Sequence, residues 1–468
     1  MINYHDSITH RLPPEILAET VSHLEGDKSL VIATHVCHFW RSALLSSPRL
    51  WSHLAFKNEP RASVFLERSK SAPIFLDLEG GGISFDAVGK SLKGITERLT
   101  GLRTVHVPFW DKLLIQPLPV LSYLEVVTSE GPSFDKSLTA ANLGHLTTFS
   151  LTLRNSVSSP RIGHSLLYFL RSCPLLEVVT FGYGELDSDI ELNTGAGSTE
   201  AVSLPRLRSF THKSPLEVTP IGLFNRLSLP PTCDVAFNIT SPKPDNSPGW
   251  WNHGFPALRD RSYLLDTKLV KIAFQAQGPQ LSVIKTTFLD SKHRTVSLNK
   301  LMPRPSYSSS HGEVTSIMRF LENSESARSV EVLHFESCVP LPPLVSVADS
   351  LEKLSRLKRI EIWNCDPTLF LSSPCPPAVW CRNVEELLIH PSRWWPEPEV
   401  FGVMEMVRSI ARLRKEGGSP LKGFTLFLPD AARLQACEPQ IEDLMECVDS
   451  VEVLSYGASD NGGWEIAK

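Results

Sequence analysis

The 468-residue chain has no large excess of either charge: 46 lysines and arginines face 51 acidic residues, a formal net charge of −5. That balance removes any global electrostatic case for nucleic acid or an anionic membrane as a partner. No stretch approaches the roughly 18 continuous apolar residues that a spanning helix requires. The polar stretch Met1 to Arg11 lacks the apolar centre of a signal peptide. Nine cysteines, an odd number with no C-x-x-C pair, read as buried reduced thiols in an intracellular protein rather than as a disulfide framework. Without an export signal the acceptor-like Asn238-Ile239-Thr240 carries no meaning. The expectation is a soluble protein of the cytoplasm, the nucleus or both.

Motifs of covalent chemistry are missing as well. There is no G-x-S-x-G elbow, no H-E-x-x-H helix and no zinc-type cysteine pairing, and Cys375 and Cys381 bracket Pro376-Pro377 too irregularly for a metal knuckle. The nearest phosphate-loop candidate runs from Gly82 to Ser91, but six residues separate Gly82 from Gly89 where a working loop has four. His106, His334 and His390 fall beside strand-like segments, either lining a cleft or, as preferred here, facing solvent or a partner. Trp394 and Trp395 could stack on a ligand or pack as a loop, and the loop is preferred. Arg412, Arg414 and Lys415 make a basic spot that a helix C-terminal dipole explains. These readings predict no enzyme, no cofactor and no metal.

What the chain has in plenty is proline, 36 against 26 glycines. So many breakers favour short elements joined by turns over long helices. Apolar residues at 42% are enough to build a core.

Residues 12 to 54 differ in texture from the rest. Pro13 and Pro14 suit a first helical turn, and Glu15 meets the positive end of its dipole. Leu17, Val21 and Leu24 then mark one apolar helix face. Asp27 or Ser29 can cap a second helix carrying Leu30, Ala33, Val36, Cys37 and Trp40. A third, through Ala43 to Leu45, stops before Pro48, and Leu50 and Trp51 follow in a turn. Three short helices cannot bury this much apolar surface among themselves, so the rest of the chain or a partner must cover it.

The run Leu12-Pro13-Pro14-Glu15-Ile16-Leu17, then Leu24, Asp27 and Leu30, then Val36-Cys37-His38-Phe39-Trp40-Arg41, then Pro48-Arg49-Leu50-Trp51, resembles the F-box. The one departure is Thr20, where that family carries an aliphatic residue, which weakens packing of the first helix. The resemblance implies docking on the Skp adaptor of a cullin–RING (SCF) ubiquitin ligase. Leu12, Pro13, Ile16 and Leu17 would make the first contact, and Val36, Cys37, Trp40, Leu50 and Trp51 the rest. The alternative is a mere N-terminal cap on the remainder of the chain.

After Trp51 one phrase recurs, an apolar residue followed three and five positions later by two more. It appears at Leu102/Val105/Val107, Leu121/Leu124/Val126, Leu146/Phe149/Leu151 and Leu176/Val179/Phe181, and shortened at Leu207/Phe210. It returns at Val330/Leu333/Phe335, Leu357/Ile360/Ile362, Val384/Leu387/Ile389 and Leu421/Phe424/Leu426, with a partial unit at Val451/Leu454. Strand-like phrases alternating with helical stretches such as Ile162 to Arg171 and Val400 to Leu413 resemble a leucine-rich-repeat solenoid. Cys338 and Cys365, ninth in their units, read as structural. Head and tail together resemble the expanded F-box families of mushroom-forming fungi.

The expected fold is therefore α/β: a flexible stretch 1–11, a three-helix F-box at 12–56, and an irregular leucine-rich-repeat-like solenoid with a curved, mainly parallel sheet at 57–468. The solenoid is expected to be irregular or interrupted at about 208–329, where strand-like runs at Cys233 to Ile239, Leu269 to Phe274, Val283 to Phe288 and Thr295 to Leu298 replace the phrase. Pro242 to Pro256 and Leu192 to Ser198 read as loops. Outward positions of the phrases, Val332, His334, Arg359, Glu361, Trp363, Glu386 and His390, mix aromatic and charged types as a protein-recognition surface does. The expected partners are the Skp adaptor, through it the cullin and RING subunits, and a target protein, with neither nucleic acid nor membrane. The rival readings are a repeat scaffold with no ligase link and an enzyme with a dispersed site.

Overall fold

The computed structural model describes residues 12–24, 26–55, 59–79, 88, 94–107, 110–129, 143–154, 162–183, 201–214, 226–230, 232–240, 267–276, 281–290, 295–303, 317–318, 321, 329–337, 351, 353–364, 382–390, 397–428, 435, 437–458 and 464–467. The expectations for residues 1–11, for Gly82, Gly89 and Ser91, for the loops at 192–198 and 242–256, and for Cys338, Cys365, Cys375, Cys381, Trp394 and Trp395 lie outside them. The chain divides into two compact units, residues 1–209 with 225–230, and residues 210–224 with 231–468.

The first unit opens with three helices, α1 (Pro14–Ser22), α2 (Gly26–Ala33) and α3 (His38–Leu45), and a 3₁₀ turn at Pro48–Trp51. Pro14 sits at N1, where its missing N–H costs nothing, and the Pro13 carbonyl accepts from the Ile16 and Leu17 amides. Leu17, Val21, Leu30, Ala33, Ala43 and Leu44 form the helical core. The second helix ends earlier than its apolar spacing suggests. Cys37 is extended and its Sγ accepts from the Trp40 amide, so Cys37 caps α3, and Val36 falls in the turn before it. Asp27 and Ser29 lie inside the first turn of α2 rather than capping it. Thr20 points to solvent and its hydroxyl donates to the Ile16 carbonyl, so it takes no part in the packing it was expected to weaken.

A six-stranded parallel ladder follows. Its strands are β1 (His53–Ala55), β2 (Ile74–Glu79), β3 (Leu99–Val105), β4 (Tyr123–Thr128), β5 (Thr148–Leu153) and β6 (Val178–Tyr183). Each pairs with the next in chain order. Two rows cross it in register on the buried face: Leu76, Leu102, Leu124, Phe149 and Val179, then Leu78, Thr104, Val126, Leu151 and Phe181. The first residue of most phrases closes a tight turn ahead of its strand. Leu121, Leu146 and Leu176 donate their amides three residues back and are wholly buried. The phrase starting at Leu102 is corrected by this register, because Leu102 pairs with Leu124 rather than taking the place of Leu121. Thr104, 1% exposed, holds a row position that the apolar pattern passes over.

Helix α4 (Glu59–Ser69) links β1 to β2, a short α5 (Trp110–Leu113) precedes β4, and α6 (Ile162–Arg171) precedes β6. Phe169 of α6 meets Phe149 of β5 at 4.5 Å between ring centres. A small two-stranded pairing joins β7 (Val202–Ser203) to β9 (Leu227–Ser228).

The second unit begins within β8 (Ser209–Ser214), which pairs with β10 (Asp234–Thr240). Next come β11 (Thr267–Ala276), β12 (Leu281–Asp290) and β13 (Thr295–Pro303), the strands of the segment where the phrase fails. They form an antiparallel meander whose two ends join parallel neighbours, β13 to β10 and β11 to β14 (Val332–Ser337). Beyond β14 the chain-order ladder resumes through β15 (Arg359–Trp363), β16 (Glu386–His390), β17 (Leu421–Leu428) and β18 (Val448–Ala458), all parallel. The antiparallel β19 (Trp464–Ala467) ends it. Val270, Leu333, Ile360, Leu387 and Phe424 make one buried row, and Phe335, Ile362, Ile389 and Leu426 another.

Helix α7 (Glu397–Glu416) buries Val400, Val403, Met404, Val407, Ile410 and Ala411, a stripe at helical spacing. It ends at Gly418, whose φ of +77° favours glycine. Arg414 is not a member of a surface basic spot. It is 1% exposed and donates to the Ser419 and Arg382 carbonyls at 2.9 and 3.1 Å, tying the helix end to the turn ahead of β16. Helix α8 (Glu438–Met445) meets α7 through the Arg408–Asp443 ion pair.

On the outer face of the first ladder, Phe75 and Tyr123 approach to 5.5 Å across Gly101, which pairs with both. A Cβ at residue 101 would stand 2.3 Å from the Phe75 ring. Gly101→Ala should therefore cost about 1–3 kcal/mol in urea unfolding, and Phe75→Leu in the same chain should recover part of it. Additive effects of the two substitutions would contradict the clash.

Candidate functional site

Two surfaces answer to the residues singled out by sequence. The first is the helical head. Of the nine positions expected at the adaptor, Ile16 and Val36 are 52% and 59% exposed, and Pro13 is also exposed. Leu12, Cys37, Trp40 and Leu50 are half-buried. Leu17 and Trp51, 1% and 0% exposed, lie in the interior beneath that surface. Trp51 donates its indole N–H to the Leu44 carbonyl at 2.9 Å and meets the Phe65 ring of α4 edge-on at 4.9 Å. The Trp40 indole N–H, by contrast, is buried with no acceptor among the described residues, an uncommon condition for a buried donor. Sequence reasoning missed Leu24 and Ile32, 47% and 67% exposed, as surface residues. The spacing of Leu24 assigns it to an apolar stripe and Ile32 falls outside one, and the short helices are too few to cover every face. A cleft of about 1120 Å³ lies between the head and the first strands, with Leu24 and Leu50 in its lining.

The second surface is the outer face of the second unit. Because the strands pair in register, side chains two residues apart stand in straight rows across it. One row holds Val332, Arg359 and Glu386; the next holds Lys271, His334, Glu361 and Leu388; a third holds Glu336, Trp363 and His390. All seven outward positions read from the sequence thus lie on one face. Register adds Lys271, Glu336 and Leu388, and ring contacts add Phe427. Lys271 and Phe427 required the strand's partner or a ring contact to be known, whereas Glu336 and Leu388 stand two residues from outward positions on their own strands.

An ionic chain runs across these rows. Lys271 Nζ lies 2.6 Å from Glu336, His334 Nδ1 lies 2.8 Å from Glu361, and Arg359 lies 2.8 Å from Glu361 and 3.4 Å from Glu386. The hydrogen bond from His334 holds the Glu361 carboxyl below its ordinary value, aided by the Arg359 charge and opposed by burial. Beside it the rings stack. Trp363 lies between His334 at 5.6 Å and His390 at 4.5 Å, both nearly parallel, and Phe427 tilts against Trp363 and His390. His334 is only 8% exposed, so this face is a packed polar and aromatic surface, not a scatter of solvated side chains. No set of three or more His, Cys, Asp or Glu side chains among the described residues is arranged to hold a metal ion.

His106 stands elsewhere, just after β3, with φ of +56°. Its amide donates to the Val127 carbonyl, as the amide of Asn364, also at positive φ, donates to His390. Both residues turn the chain at a strand end. Of the described cysteines, Cys173, Cys233 and Cys437 are buried free thiols, and burial pushes Cys173 and Cys233 up to about 12. No helix among the described residues is long and apolar enough to cross a membrane.

Compared with known protein families, residues 9–57 match the F-box-like family. The head is thus an F-box-like domain, which supports an F-box protein. No curated protein matches the chain.

The Glu361 contact carries a pH signature. Its folded-state value is lowered, so its contribution is full above the ordinary carboxylate range and is lost as pH falls through the lowered value. Wild type should exceed Glu361→Gln in urea stability near pH 7, with the gap closing as pH falls below the ordinary carboxylate range. A gap that stays constant over that range would show that the carboxylate charge contributes nothing.

Proposed function

We propose that this protein is a substrate receptor of an SCF-type cullin–RING ubiquitin ligase. Its F-box-like head docks on the Skp adaptor, which connects it to the cullin and RING subunits. The observation that carries the reading is the F-box-like match at residues 9–57, joined to a head that leaves Pro13, Ile16 and Val36 in water. A partner that covers this face removes that cost.

The rest of the chain is proposed to be an irregular leucine-rich-repeat solenoid of the kind found in the large fungal F-box families. Supporting this are strands that pair in chain order and the rung interval of 27 residues from His334 to Glu361 and from Arg359 to Glu386. Its outer face at His334, Arg359, Glu361, Trp363, Glu386 and His390 would hold the target protein. In this reading the chain performs no covalent chemistry and needs no cofactor. It acts in the cytoplasm or nucleus by raising the effective concentration of target lysines near a charged conjugating enzyme.

A second reading, a repeat scaffold whose head is only a cap, draws on one observation: Trp51 is wholly buried and meets Phe65 of the next helix. Adaptor binding separates the two. The purified full chain should capture purified Skp adaptor, and Pro13→Glu, Ile16→Asp and Val36→Asp together should weaken capture at least about tenfold while the thermal melt is kept. A wild-type chain that ignores the adaptor, or a triple variant that binds as well as wild type, would leave the scaffold reading standing.

A further inference from the structure

Helices α2 and α4 border a groove of about 510 Å³ that none of the nine expected adaptor residues lines. Val31 and Ile32 of α2 face Val64 and Phe65 of α4 across it, and its remaining lining residues are Lys28, Arg61 and Arg68. Ile32 and Val64 are 67% and 40% exposed, although both are large and apolar. On α2 the sequence Lys28, Val31, Ile32 follows one helical face. On α4 the spacing Arg61, Val64, Phe65, Arg68 does the same, with a cation one turn to either side of the apolar pair. The two guanidinium groups rest on aromatic rings, Arg61 over Phe65 at 5.3 Å and Arg68 over Trp51 at 4.4 Å. Lys28 is exposed and Arg68 half-buried, so these two supply the positive rim, while Nε and Nη2 of Arg61 are buried; no carboxylate is among the described lining residues.

We propose that this groove docks an acidic amphipathic helix of a protein partner distinct from the adaptor. The apolar floor calls for large aliphatic side chains at one-turn spacing, and the cationic rim calls for carboxylates flanking them. Both walls are helix surfaces, so there is no open strand edge to pair with an extended peptide. Phe65 is 3% exposed and offers no ring face on which a base could stack, which sets the groove apart from a nucleic-acid site. The site goes beyond the proposed adaptor and target surfaces and would let the head engage a second protein without using the sheet face.

The probe is a fluorescein-labelled synthetic helix with leucines on one face and glutamates beside them, read by anisotropy against the full-length protein. Two control peptides replace the glutamates by lysine or the leucines by serine. A single-stranded oligonucleotide serves as a competitor. The acidic leucine peptide should bind at least about tenfold more tightly than either control and should resist the oligonucleotide. Lys28→Glu, Ile32→Asp and Val64→Asp should each weaken it by about tenfold, with the thermal melt and adaptor capture unchanged. The proposal is overturned if the lysine peptide binds as well, if the oligonucleotide displaces the acidic peptide at equal charge, or if the three variants bind it as wild type does. It is equally overturned if the variants lose adaptor capture along with the peptide, because the groove would then be part of the adaptor face.

Discussion

The arrangement of the first unit depends on the burial of one indole. Trp51 closes the 3₁₀ turn that ends the head, and its side chain is covered by α3, α4 and the Arg68 guanidinium. Burying so large a ring with its N–H bonded contributes on the order of 3 kcal/mol or more. The next residues leave no slack. Ser52 accepts from the Phe75 amide at 2.9 Å and β1 begins at His53, so the head is rooted on the edge of the parallel ladder. A head fixed in this way can hold exposed apolar side chains in a defined array without collapsing onto them. That is what a docking surface requires.

The same logic leaves apolar surface uncovered on the head. Its interior is filled by Leu17, Val21, Leu30, Ala33, Ala43, Leu44 and Trp51, and further apolar residues remain at the surface. The short helices have two kinds of apolar position, one turned inward and one turned out, and sequence spacing alone cannot tell them apart. Leu17 and Ile16 are adjacent in the chain and in the F-box resemblance, yet one is core and the other is half in water.

Much of the ladder is legible from sequence because a parallel rung buries alternate residues and closes with one apolar turn residue, leaving the spacing seen at Leu121/Leu124/Val126 and its counterparts. Legibility fails where a polar residue takes an inward place, as Thr104 does, or where a charged one does, as Arg414 does by satisfying two carbonyls. The meander of β11, β12 and β13 is legible as strands but not as an order, since alternation carries no record of which neighbour a strand chooses. The sheet face follows from the same alternation. Lys271 and Phe427 join it only through register and tertiary contact, and the groove between α2 and α4 depends on helices that no short motif connects.

The central claim is that Trp51 couples the helical head to the ladder, so that the exposed apolar face of the head and the sheet edge form one cooperative body. Hydrogen exchange on Trp51→Ala tests it most directly. The account predicts that amides of α1, α2, α3, β1 and β2 lose protection together and by similar factors. Loss confined to the turn at Pro48–Trp51, with the head and the strands as protected as in wild type, would contradict it.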